Sequence, residues 1–160
     1  MAAIKPLGLD HLVLRVADVP RACAWYAAVL GCKVERVFPS LGLTQLRAGA
    51  SLIDLVDVKG PSGKAGGAVA RKKRRNMDHY CVQLAEFSAK KIINHLKRHG
   101  IEPGTVSRRY GALGHGPSMY LTDPDGNTLE LKGPPDADQT EKVLDAILPG
   151  RRTKRNRERK

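Results

Sequence analysis

Two histidines and two carboxylates stand at matched places in this 160-residue chain: His11 and Asp54, then His79 and Glu130. Imidazole nitrogens and carboxylate oxygens together suit one divalent ion such as Zn, Ni, Fe or Mn, with water in the open positions. Taken singly, each residue has an ordinary explanation. A histidine near a strand start is more often half-buried than a ligand, and a Glu between leucines normally marks the solvent face of an edge strand. Taken jointly, four ligand-type residues at equivalent places in two repeats point to one nitrogen–oxygen site.

The elements that must position them follow from the alternation of side chains along a strand. In the stretch LDHLVLRVADV at 9–19, Leu12, Leu14 and Val16 take one face and His11, Val13 and Arg15 the other. The stretch MDHYCVQLAEF at 77–87 repeats this at a constant offset of 68, with Tyr80, Val82 and Leu84 opposing His79, Cys81 and Gln83. Each stretch meets an acidic cap, Asp18 or Glu86, before a helical pattern. The first helix, with Pro20 in its first turn, runs to about Leu30 and stops at Gly31; the second runs from about Ser88 to His99 and stops at Gly100. Strand-like runs follow near 33–38, 43–47 and 51–58, and again near 104–109, 118–121 and 128–132. Asp123-Pro124-Asp125-Gly126 supplies the hairpin turn before the last of them. Each half therefore reads β-α-β-β-β. Asp54 lies between Ile53 and Leu55, and Glu130 between Leu129 and Leu131, so both carboxylates point away from the helix-packing face.

The remaining chemistry-bearing residues are weaker candidates. Trp25 and Tyr26 read as core or interface. His95 and His99 share a helix face but flank Lys97 and Arg98, which suggests an exposed helix end. His115 sits in a glycine-rich stretch that reads as a loop, and Cys81 points toward the proposed site. Three cysteines, odd in number and without a C-x-x-C, read as reduced thiols of a cytoplasmic protein. No stretch looks like a signal peptide or a membrane span.

The net charge of +12 is concentrated in two places. The run RKKRR, from Arg71 to Arg75, carries +5, and the tail at 151–160 holds seven basic residues and Glu158. The rest of the chain is nearly neutral. Nucleic-acid contact is therefore expected only through Arg71–Arg75 and the tail, and solvated appendages are the simpler reading.

The quoted first stretch, continued to LDHLVLRVADVPRACAWYAAVLGCKVERV, and the segment YLTDPDGNTLELKGP resemble the vicinal oxygen chelate superfamily. That superfamily holds glyoxalase I, extradiol dioxygenases, and fosfomycin- and bleomycin-resistance proteins. The likeness covers about 9–134; RRYGALG at 108–114 followed by Gly116-Pro117 is similar to its glyoxalase-domain proteins of uncertain activity. It implies an α+β fold in which two βαβββ modules, about 8–58 and 77–133 with a linker at 59–76, form an incomplete curved barrel. A single domain would span 1–134, followed by a C-terminal helix at 135–149 and a disordered basic tail at 150–160. The resemblance places His11, His79 and Glu130 as metal ligands, with Asp54 at the fourth position and Glu130 as proton shuttle. Arg15 and Arg75 match positions that bind a substrate carboxylate in glyoxalase I. Val58, Gly114 and Gly116 stand where that enzyme keeps other glutathione-contacting residues, which speaks against glutathione itself. The implied activity is a glyoxalase-like lyase or isomerase on a small-molecule substrate, acting as a homodimer. An Fe(II) extradiol-type dioxygenase and a non-catalytic drug- or metabolite-binding protein are the alternatives.

The tail contains no apolar residue, so burial cannot offset the entropy of ordering it. Deleting residues 151–160 should leave the melting temperature within about 2 °C. Metal content should be unaltered, while retention on heparin should weaken sharply. A larger loss of stability or of metal would show that the tail packs against the folded chain.

Overall fold

The computed structural model describes residues 6, 8–66 and 77–136. The expected C-terminal helix, the basic tail, Arg75 and the rest of the RKKRR run lie outside the described residues. Two compact units emerge. The described part of the first comprises 6, 8–66 and 77–78 together with 98–100 and 122–128; that of the second comprises 79–97, 101–121 and 129–136. The fold is α+β, with an open four-stranded mixed sheet in each βαβββ module.

In the first module β1 (His11–Val16) leads into α1 (Val19–Leu30). Asp18 caps this helix by accepting from the Arg21 amide, and Gly31 closes it in the left-handed conformation at φ 69°. Strands β2 (Lys33–Phe38), β3 (Leu43–Ala48) and β4 (Ser51–Asp57) follow. The chain crosses back so that β4 pairs parallel with β1 and antiparallel with β3, giving the order β1-β4-β3-β2. Leu14 and Val16 of β1, Ala22, Tyr26 and Val29 of α1, and Ile53 and Leu55 of β4 are buried.

The expected linker is partly structured. Residues Pro61–Ala65 form a short helix, α2. Its Gly63 is required by close packing, because a Cβ there would come within 1.9 Å of the Asp57 carbonyl oxygen.

The second module repeats the plan with β5 (Tyr80–Gln83), α3 (Ala89–Arg98), β6 (Ser107–Gly111), β7 (Gly114–Thr122) and β8 (Thr128–Lys132), ordered β5-β8-β7-β6. Three details differ from the sequence reading. The cap of α3 is Ser88 rather than Glu86: its hydroxyl accepts from the Lys91 amide at 3.5 Å and its carbonyl from the Ile92 amide at 2.9 Å. Strand β7 begins at Gly114, which puts His115 in a strand, paired with Tyr110 in a tight hairpin. Strand β6 starts at Ser107 instead of near Gly104. Glycine and proline weaken strand propensity here, and cross-strand pairing overrides it.

The Asp123–Asn127 turn groups with the first unit. Asp123 is buried and accepts from the amides of Asp125 and Asn127, from the Asn127 side chain, and from the Tyr26 hydroxyl at 2.8 Å. Asp125 accepts from the Ala17 amide at 2.8 Å and lies 3.4 Å from Arg21. Tyr26 is fully buried, as a core residue should be, and its hydroxyl supplies the donor that a buried carboxylate needs. Tyr26→Phe should therefore destabilise the chain by about 1–3 kcal/mol in denaturant titration. An unchanged midpoint would mean that water replaces the hydroxyl at no cost.

Candidate active site

Both candidate carboxylates sit on inner strands. Asp54 on β4 is flanked by β1 and β3, and Glu130 on β8 by β5 and β7. Asp54 is 5% exposed and Glu130 6%, so neither is the solvent-facing residue of an edge strand. A buried carboxylate needs donors, and each module supplies them differently.

In the first unit, His11 pairs across the sheet with Leu52, and Val13 with Asp54. Histidine and carboxylate are thus two residues apart in register on one face of adjacent parallel strands. Asp54 accepts from the Gln45 side-chain amide through both oxygens, at 3.1 and 3.0 Å, from the directly opposite position on β3. His11 Nδ1 lies 2.7 Å from Asp10. That hydrogen bond raises the imidazole pKa, with smaller contributions from the charges of Asp54 and Asp10 and some opposition from desolvation. It also orients the ring so that Nε2 is the second nitrogen. Arg15 donates to the Gly66 carbonyl at 3.0 Å, and a Cβ on Gly66 would strike its side chain. The arginine is thus laid against the end of α2.

In the second unit the register is the same. Cys81 pairs with Glu130 as Val13 pairs with Asp54. His79 precedes β5, and its Nε2 is 3.2 Å from Glu130 Oε2. The Ser118 hydroxyl donates to Glu130 Oε1 at 2.5 Å and the Tyr120 hydroxyl to Oε2 at 3.2 Å. The rings of His79 and Tyr120 meet edge to face at 5.3 Å, and Arg109 lies 5.9 Å from the Tyr120 ring centroid. Desolvation first, then Glu130, raises the Tyr120 pKa, so its hydroxyl is a donor at neutral pH.

The sequence-derived pairs therefore form within each unit: His79 meets Glu130 directly, and His11 shares a face and register with Asp54. Among the described residues, no group of three or more His, Cys, Asp or Glu side chains is gathered at metal-binding distance. Sequence reasoning missed Gln45, Ser118 and Tyr120. A signal existed for the last two: alternation along β7 puts Ser118 and Tyr120 opposite the buried Met119 and Leu121.

A model described as the Glyoxalase/Bleomycin resistance protein/Dioxygenase superfamily matches residues 8–131, and the chain belongs to that superfamily. The mitochondrial methylmalonyl-CoA epimerase of Mus musculus is 26% identical over 130 residues, 78% of this chain and 71% of the epimerase. An integron cassette protein from the mobile metagenome of V. cholerae superimposes with a TM-score of 0.65 at 28% identity, over 82% of this chain and 98% of that one. A lactoylglutathione lyase from Agrobacterium tumefaciens shares the fold, with a TM-score of 0.61 at 19% identity over 81% of this chain and 95% of that one. No described helix is long and apolar enough to cross a membrane.

Cys81 is accessible as a residue, yet its sulfur lies beside Glu130. Lost hydration and the adjacent carboxylate push its pKa up to about 11, against partial opposition from Lys132. Both effects disfavour the thiolate, which is the reactive form. In protein stripped of metal with a chelator, alkylation of Cys81 read by peptide mass spectrometry should rise only toward pH 11. Glu130→Gln should move that midpoint down toward the ordinary thiol range. Rapid alkylation at pH 8 in the unaltered chain would refute this environment.

Proposed function

We propose that this chain is a metal-dependent isomerase or lyase that moves a proton at a carbon beside a carbonyl of a small substrate. The observation that supports it most is the repeated pairing of a histidine with an inner-strand carboxylate, His11 with Asp54 on one face of β1 and β4 and His79 with Glu130 at 3.2 Å beside β5 and β8. On this reading His11, Asp54, His79 and Glu130 hold one divalent Zn, Ni, Fe or Mn. The donor set fits such an ion. It offers two imidazoles and two carboxylates, and Asp10 at His11 Nδ1 is the outer partner that ligand histidines commonly keep. When bound, the metal supplies Lewis-acid stabilisation of negative charge on the substrate oxygen.

The chain's own residues handle the proton. Ser118 holds Glu130 Oε1, which leaves Oε2, on the His79 side, to take the proton from carbon and return it. Tyr120, protonated at neutral pH, donates to the same oxygen and steadies it between the two transfers. The curated relative named an epimerase favours the isomerase branch. The same reading takes the protein as a cytoplasmic homodimer, with nucleic-acid contact confined to Arg71–Arg75 and the tail.

Chelator-treated protein reloaded with Zn, Ni, Mn or Fe(II) should retain about one equivalent per chain. Asp54→Asn should weaken retention roughly tenfold or more. In deuterated water, a panel of small 2-oxo compounds and acyl thioesters should include one that exchanges its carbon-bound hydrogen, and Glu130→Gln should slow that exchange by about 10²–10⁴-fold. A chain that retains none of these metals overturns the proposal, as does Fe(II) retention coupled to O₂ consumption without exchange.

A further inference from the structure

We propose that Lys132 and Arg109 form an oxyanion-binding subsite beside Glu130, so that the substrate handled there carries a carboxylate or phosphate group. This rests on the reading of Glu130 as the proton-handling residue. Lys132 lies two residues after Glu130 on β8, so alternation puts both on the same face. It is only 6% exposed. Among the described residues, no hydrogen bond or ion pair engages its ammonium. Its stem is buried, while the ammonium is not among the solvent-shielded unpaired atoms, so the charge is held at the sheet surface with an open side for an anion.

The β6–β7 hairpin is cut to fit this lysine. A Cβ on Gly111 would stand 3.0 Å from its Cε, and one on Gly116 would stand 2.9 Å from its Nζ and 2.4 Å from the Pro134 carbonyl oxygen. The end of Lys132 therefore runs over bare backbone that any larger residue would fill. Arg109 is the register partner of Gly116, so it rises beside the same bare position from the neighbouring strand. Its guanidinium reaches back toward the Tyr120 ring, whose hydroxyl donates to Glu130. The adjacent Arg108 is ion-paired with Asp136, whereas no described carboxylate pairs with Arg109. Two cations thus flank Gly116, one a compact ammonium and the other a planar fork. A multi-oxygen anion can use both at once, with charge-assisted hydrogen bonds from each.

Chelator-treated, nitrogen-15-labelled protein can be titrated with sodium phosphate and, separately, with sodium acetate at constant ionic strength in sodium chloride. The expected result is a saturable shift of the Gly111 and Gly116 amide signals with at least one anion, and the anion that saturates assigns phosphate or carboxylate. Lys132→Met and Arg109→Gln should each weaken that binding about tenfold, while Lys132→Arg retains most of it. Arg109 is exposed, so its variant keeps the test open if Lys132→Met does not fold. No saturable shift with either anion overturns the subsite, as does unchanged affinity in Lys132→Met and Arg109→Gln. Because the titration is metal-free, the two proposals fail separately. Anion binding by a chain that retains no metal removes the metal-dependent reading alone, and metal retention without anion binding removes the subsite alone.

Discussion

Parallel pairing between the first and last strand of each module is the constraint from which the other features follow. A parallel pair cannot be closed by a hairpin, so the chain must travel through a helix and two further strands before returning. The return places β4 and β8 inside their sheets with a neighbour on each side. It also brings a histidine to the last strand's carboxylate in both modules: His11 of β1 lies two residues from Asp54 in register on one face, and His79, just ahead of β5, lies 3.2 Å from Glu130. A slip of one residue would turn either carboxylate into the apolar layer, where Ile53, Leu55, Leu129 and Leu131 now lie.

Placing a carboxylate on an inner strand creates an electrostatic demand that the two modules meet unequally. Gln45 donates to both oxygens of Asp54, giving a short acid held from directly across the sheet. Glu130 receives one hydroxyl on each oxygen and has an imidazole beside one of them. The repeat is therefore symmetric in backbone and asymmetric in chemistry. In the proposed mechanism proton transfer falls to the second module, because its carboxylate offers oxygens in two different environments.

The Asp123–Asn127 turn does more than reverse the chain. Its two aspartates are spent on the start of β1's connection to α1 and on the body of that helix: Asp125 on the Ala17 amide and Arg21, Asp123 on the Tyr26 hydroxyl. Those bonds tie the turn to the start of α1 and its body within the first unit. A loop of ordinary polar residues would close the hairpin equally well without anchoring it.

Helix α1 with both its caps, the strands of the first module, β8 and the hairpin turn were legible in the chain itself. These features depend on residues close in sequence: alternation, an Asp before Pro20, and glycine where φ must be positive. The offset of 68 between the two histidine strands also exposed the duplication, and with it the two histidine–carboxylate pairs. The cap at Ser88, the strand running through Gly114 and Gly116, and the short helix at 61–65 were decided by packing against neighbours distant in sequence. The partners of Glu130 were decided the same way, since Ser118 and Tyr120 reach it only when β7 is laid beside β8. Local pattern states which face a side chain takes. Which other side chains wait on that face is set by strand order and register, and those exist only once the sheet has formed.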